Sequence, residues 1–195
     1  ETATGEALLE VKNLKTYFPT DEGLVKAVDG ISFTIKPGET LGVVGESGCG
    51  KSTVGRSILQ ILDRPGFVEE GSMLWRTDSL DGGASTVVDV AKEKPNSRTM
   101  RMIRGNDIAL VFQEPMTSFS PVHTIGNQLT EAIRLHLDLN KKAANDRAAE
   151  LLDLVGVPNP RQRLSEYSFQ LSGGLRQRAM IAMALSCDPK LLIAD

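Results

Sequence analysis

Residues 45–53, GESGCGKST, constrain what this chain can fold into more than any other stretch of it. They fit the spacing G-x-x-x-x-G-K-[ST]. The apolar run TLGVV (40–44) precedes them and reads as a short strand; STVGRSILQIL (52–62) follows, with apolar residues at helical spacing. Strand, glycine-rich loop and helix in that order belong to α/β architecture. The glycines let the loop curl so that several backbone N–H groups converge on an anion. The helix start adds unpaired N–H groups and partial positive charge. Lys51 reaches outer phosphates as a point charge, and Ser52 offers a hydroxyl to Mg2+. A merely structural glycine turn is the competing reading, and the lysine, the serine and the flanking elements together weigh against it. Cys49 lies inside the loop and its side chain is read as incidental to binding. A thiol beside Lys51 and a helix N-terminus is expected to be acidified, so thiol modification should compete with nucleotide.

The rest of the chain alternates strands and helices. ALLEVKNLKTYF (7–18) and KAVDGISFTIK (26–36) have strand character around the turn signal DEG (21–23), and GSMLW is a further strand. Residues 76–100 are polar and turn-rich, and read as a hairpin or a mobile loop. Asp78 and Asp81 precede Gly82–Gly83, a pairing that favours a turn over a metal loop. DIALVF (107–112) is a buried strand. Residues 124–155 read as helical, with Ile125, Leu129 and Ile133 on one apolar face and Ala148, Leu151, Leu152 and Val155 on another; Gly156 is a C-terminal cap with Pro158 beyond it.

Two further motifs extend the first. LLIAD (191–195) is an apolar strand that delivers Asp195 to its end, where an acid can hold Mg2+ through water. LSGGLRQR (171–178) opens a helix on two residues that disfavour helix, at about 1 kcal/mol each relative to alanine. Ser172 is an N-cap, and Gly173 and Gly174 bare the backbone at a second anion-binding helix start. One nucleotide needs one phosphate loop, so the second helix start is read as serving a nucleotide on another molecule. A Ser-capped helix whose glycines permit close packing is the alternative.

Composition excludes several classes. The net charge of −3 leaves no basic footprint for nucleic acid, and 41% hydrophobic residues over 195 positions suit one globular core or two small ones. Two cysteines, Cys49 and Cys187, make no disulfide framework, so a reducing compartment is the default. No apolar run approaches the roughly 20 residues of a membrane helix, and any link to a membrane is expected to be peripheral.

GESGCGKST, VFQEP, LSGGLRQR and LLIAD, in this order, resemble the nucleotide-binding subunit of ATP-binding cassette (ABC) transporters, over nearly the whole chain. The longer wording, KAVDGISFTIKPGETLGVVGESGCGKST, IRGNDIALVFQEPMTSFSP and AMIAMALSCDPKLLIAD, is similar to the ATPase subunits of bacterial oligopeptide and dipeptide importers. Nickel, glutathione and sugar-peptide importers share it.

The resemblance implies an α/β fold: a P-loop NTPase (RecA-like) core with an N-terminal antiparallel β region and a helical subdomain. It implies one ABC ATPase domain over 1–195, divided into an ATP-binding core with its β subdomain (1–112), a helical subdomain (113–170), and the signature helix with the Walker B strand (171–195). The implied cofactors are ATP and Mg2+. Phe18 matches the aromatic that stacks on adenine, with Tyr17 as a nearby alternative and strand packing as the plain reading of both. Gly45, Glu46, Ser47, Gly48, Cys49, Gly50, Lys51, Ser52 and Thr53 hold the phosphates. Gln113 touches Mg2+ or the attacking water, completing with Lys51 the catalytic pair, and residues 114–121 lead into the helical subdomain. Leu171, Ser172, Gly173 and Gly174 contact the γ-phosphate bound to a partner subunit. Ser52, Gln113 and Asp195 form the Mg2+ site.

The implied function is ATP hydrolysis coupled to import of peptides or similar small solutes, by a head-to-tail dimer with an identical or homologous subunit. The implied partners are membrane permease subunits and, indirectly, a solute-binding protein, with no nucleic acid; the implied place is the cytoplasmic face of the bacterial inner membrane. A non-transport ABC ATPase of the DNA-repair or translation class, or a non-hydrolysing nucleotide-binding module, is the alternative.

The sequence departs from the family pattern in places. Leu175 stands where many members carry glutamine, YSFQ (167–170) replaces Tyr-Pro-His-Gln, and Phe119–Ser120 replaces Leu-Asn. Residues 76–100 are longer than is usual. The family's catalytic glutamate, dimer-contacting loop and switch histidine all follow the Asp195 position. A chain ending at Asp195 is therefore expected to be truncated, to leave a gap in its own sheet and to be inactive alone.

Overall fold

The computed structural model describes residues 7–81, 84–113 and 119–195. The expected leader, the turn at Gly82–Gly83 and residues 114–118 lie outside them. The chain forms two compact units, Glu1–Arg104 and Gly105–Asp195.

The first unit is an antiparallel sheet with strand order β2-β1-β3-β4, built from β1 (Leu9–Thr20), β2 (Gly23–Ile35), β3 (Phe67–Asp81) and β4 (Ala84–Asp89). The helix α1 (Lys51–Ile58) packs on it, and a short α2 (Arg98–Ile103) follows β4. Two irregularities in the pairing of the interior strand β1, one in β1 itself and one in its neighbour β2, decide what its sides carry. Asn13 takes a left-handed backbone (φ 49°) where the pairing with both neighbours slips. Its amide donates to Glu70 Oε1 at 2.8 Å, and Gly71 of β3 lies against the kinked backbone. Such a bulge moves the alternation by one residue. Leu14 and Thr16 then continue the buried set begun by Leu9 and Val11, all four being at most 1% exposed. Thr16 marks the side that holds α1, because its Oγ1 meets Ser57 Oγ of that helix at 2.8 Å in a buried hydroxyl pair. Ser57 Oγ also donates to Thr53 O, so the pair is satisfied rather than stranded. The second irregularity lies in β2. Thr16 pairs with Val28 and Tyr17 with Lys26, which leaves Ala27 as the extra residue.

Residues 76–100 contain a β hairpin, the β3–β4 pair, followed by α2. Residues 40–44 differ from expectation: Thr40–Val44 is not a strand. Leu41, Val43 and Val44 are 40, 51 and 93% exposed. A strand exists only through its ladder, and no described strand pairs with this segment. The helix α1 also ends at Ile58, four residues short of the expected run.

The second unit joins two parallel strands to a helical cluster. β5 (Ile108–Val111) and β6 (Leu191–Ala194) pair in parallel. The helices are α3 (Ile125–His136), α4 (Lys141–Leu154), α5 (Pro160–Arg163) and α6 (Gly173–Ala184). Thr124 caps α3 and Asn140 caps α4, each accepting from a first-turn N–H. The expected apolar faces form the core: Ile125, Leu129 and Ile133 of α3 meet Ala148, Leu151 and Leu152 of α4 and Ala179, Met180 and Ala182 of α6. Truncating Leu129 to alanine in so closed a cluster costs about 2–5 kcal/mol. Gly156 ends α4 at φ +74°, and Arg178 of α6 donates to Val155 O and Gly156 O at 3.0 and 2.9 Å. That places a cation on the negative end of α4. No helix among the described residues is long and apolar enough to cross a membrane.

Candidate nucleotide site

The phosphate loop belongs to the first unit and is built around its own lysine. Lys51 Nζ donates to Gly45 O at 2.9 Å and Glu46 O at 2.7 Å. The ammonium therefore sits within the curl it stabilises. Cys49 N donates to Glu46 O at 3.3 Å and tightens the same turn. α1 begins at Lys51 with Gly50 as N-cap, no side-chain cap and no acid in its first turn. The positive end of the helix thus faces the loop without a competing side chain.

Gly50 is required twice over. Its φ is +93°, and an added Cβ would stand 2.1 Å from Ala27 O. The extra residue of β2 thus directs its carbonyl against the loop's last glycine. A Cβ added at Gly45 would fall 2.5 Å from Cys49 Sγ, so the exposed thiol would have to turn aside. The Cys49 side chain lies over Gly45. Its Sγ lies 3.8 Å from Lys51 Nζ and the residue is exposed.

The two aromatics of β1 separate cleanly. Tyr17 is 6% exposed, donates from its hydroxyl to Asp29 Oδ1 at 2.7 Å and lies under Lys26 Nζ, 5.4 Å from the ring centre. That hydrogen bond raises the phenol's pKa and lowers that of Asp29. Phe18, one residue on, points to the strand's other side, the side of Thr16 and α1. It is half-buried, and its ring rests against Gly66.

Leu171, Ser172, Gly173, Gly174, Gln113 and Asp195 belong to the second unit. The parallel register of β5 and β6 pairs Val111 with Ala194, so Gln113 and Asp195 both follow the C-terminal edge of that sheet. Asp195 N donates to Val111 O at 3.0 Å. An amide oxygen, a carboxylate and the Ser52 hydroxyl are hard oxygen donors of the kind Mg2+ takes.

Leu171 is buried in the helical core, while Ser172, Gly173 and Gly174 are exposed. Ser172 Oγ accepts from Leu175 N at 3.3 Å as the N-cap of α6. Both glycines adopt helical backbone, and a Cβ on either would meet no described atom within 4 Å. Among the described residues of their own unit, nothing packs against these glycines.

The ABC transporter family model matches residues 28–195. The chain belongs to that family. The dipeptide transport ATP-binding protein DppD of Haemophilus influenzae is 46% identical over 189 residues, covering 97% of this chain and 54% of that protein. The oligopeptide transport ATP-binding protein AppD of Bacillus subtilis is 48% identical, covering 96% and 54%. The chain thus spans about half the length of these curated relatives. A dimeric ATP-binding cassette in a post-hydrolysis state, bound to ADP and Pi, superposes with a TM-score of 0.78 at 24% identity, over 96% of this chain and 73% of that one. The fold is accordingly that of P-loop ABC ATPase cassettes, whose cofactors are ATP and Mg2+.

Some features of the site gave little sequence signal. The extra residue Ala27, the packing of Cys49 on Gly45 and the contact of Phe18 with Gly66 depend on strand register and loop closure. The departure YSFQ becomes a stacked pair, Tyr167 and Phe169, with ring centres 5.5 Å apart and exposures of 37 and 66%. Alternate aromatics two apart were the only available hint of it.

Proposed function

We propose that this chain is the ATP-binding and ATP-hydrolysing part of a bacterial importer subunit for peptides or similar small solutes. The observation that carries the proposal is the start of α6, which presents a serine and two glycines that its own unit leaves uncovered. Backbone bared in this way suits a ligand delivered from outside, and the γ-phosphate held by a second subunit has the charge for it. In the proposed dimer, each phosphate loop grips one triphosphate and the α6 start of the other subunit closes over it. Lys51 exchanges its carbonyl partners for phosphate oxygens, and the backbone N–H groups of 45–53 orient the chain of phosphates. Phe18 takes the base, since Tyr17 is committed to Asp29. Gln113 orients the water that attacks the γ-phosphorus; the bond to the β,γ-bridging oxygen breaks and ADP leaves. Ser52, Gln113 and Asp195 would hold Mg2+, which would supply charge neutralisation at the phosphates.

The identities with dipeptide and oligopeptide transport proteins support the solute class. They also support permease subunits as partners, a solute-binding protein behind them, and a peripheral place on the cytoplasmic face of the inner membrane. Within this reading, 1–112, 113–170 and 171–195 act as core, helical and signature segments.

Lys51→Ala in the full-length protein tests the proposal. ATP affinity should fall by roughly 100-fold or more, the loss of a charge-assisted phosphate clamp, and ATP-dependent dimerisation in sedimentation should vanish. Unchanged ATP affinity would overturn the assignment of the loop.

A further inference from the structure

Phe18 lies on β1 opposite the stretch of β2 that meets the phosphate loop. In the β1–β2 register it pairs with Val25 and Thr16 pairs with Val28. Between those partners lies Ala27, whose carbonyl abuts Gly50. On its other flank, Tyr17 pairs with Phe67, which brings Phe18 beside Gly66. The contact is close: a Cβ on Gly66 would stand 2.3, 2.7 and 2.8 Å from three carbons of the Phe18 ring. Those three carbons are adjacent along one side of the ring. Gly66 has no positive φ among the strained backbones, so nothing in its own conformation calls for glycine. What calls for it is the ring.

We propose that Gly66 is a positioning residue for nucleotide binding, holding the Phe18 ring in the pose from which it stacks on the base. The proposal rests on the reading of Phe18 as the base-stacking residue. A ring backed by bare backbone has one side filled and its orientation fixed, so little side-chain freedom is lost when a base arrives. Any side chain at position 66 pushes the ring off that pose. Phe18 is half-buried and its ring is the free end of a side chain, so the push is relieved by rotation towards solvent rather than by damage to the sheet. Gly66→Ala is thereby expected to act on binding of the base and on nothing else at the site.

The test uses the full-length protein and two probes, ATP and inorganic tripolyphosphate, each with Mg2+. Base stacking on an aromatic side chain sets the expected size, and Phe18→Ala should weaken ATP about tenfold while leaving tripolyphosphate within about twofold. Gly66→Ala should do the same, with the melting temperature unchanged. In the Phe18→Ala background, Gly66→Ala should add less than about twofold, because the two act through one ring. A Phe18→Ala effect with no Gly66→Ala effect overturns the proposal and leaves the reading of Phe18 standing. No effect of Phe18→Ala overturns both. Equal weakening of ATP and tripolyphosphate by Gly66→Ala, additive losses in the double variant, or a Gly66→Ala chain that does not fold would each show a general structural role and overturn the proposal.

Discussion

Two helices of this chain open on glycine, and the reasons differ. At the start of α1, Gly50 is demanded by its own unit: its backbone is left-handed, and the Ala27 carbonyl occupies the place of a side chain. At the start of α6, Gly173 and Gly174 adopt backbone any residue can adopt, and open space surrounds them. The first glycine is explained by the fold and the second pair is not. A residue type costly in a helix, with no described neighbour that calls for it, is what the proposed contact with a second subunit accounts for. The contrast also separates a glycine that shapes a loop from glycines that clear an approach.

The sharpest way to break this comparison is Gly50→Ala. The left-handed φ and the carbonyl clash together should cost about 2–4 kcal/mol of stability. ATP binding should be lost as the loop opens, which calorimetry and thermal melting would register together. A variant that melts and binds like the parent would remove the first half of the contrast.

Gly173→Ala probes the other half. Alanine in helical backbone with room for its Cβ should leave the melting temperature unchanged or raise stability by up to about 1 kcal/mol. ATP affinity of the isolated subunit should also hold. Turnover of the assembled protein should fall about 10- to 100-fold, the scale of a misplaced transition-state contact. A drop in melting temperature like that of Gly50→Ala would return these glycines to internal packing.

A smaller effect comes from a fourth glycine, at the other end of a helix. His136 closes α3 against Gly105, whose Cβ would stand 3.2 Å from Nε2. Burial holds this imidazole below its ordinary value of 6.5, against an opposite pull from Asp107. Its Nδ1 is buried with no partner among the described residues. For a group with a lowered folded-state pKa, the unfolded chain takes the proton first. Stability is therefore full above about pH 6.5 and falls as pH drops below it. Melting temperature should decline slightly between pH 7 and 5.5, the effect being screened at a partly exposed site. His136→Gln should flatten that slope, and an unchanged slope would assign it to other groups.

Much of this was legible before any coordinates. GESGCGKST specifies its loop because glycine, lysine and serine are each chemically required at fixed offsets, and Lys51 lies inside the curled loop on the carbonyls of Gly45 and Glu46. The apolar spacing of Ile125, Leu129 and Ile133 predicts a helix face, and all three are fully buried. Thr40–Val44 shows the limit: β-rich composition supplies side chains for a strand, but ladder partners come from elsewhere in the fold. The family resemblance puts Phe18 ahead of Tyr17, but residue type alone does not, since both are aromatic and adjacent. The direction of β1 and the partners on each side separate them.

By itself, then, the sequence determined which glycine-rich loop curls and which cation lies in that curl. These follow from local geometry and residue type, which travel with the chain. The tertiary structure decided the supports. Ala27 reaches Gly50 because β2 carries one extra residue, Cys49 lies over Gly45 because the loop closes, and Phe18 lies on Gly66 because β1 and β3 pair in one register. Each depends on residues far apart in sequence meeting at a fixed distance, and pairing rather than composition sets that distance.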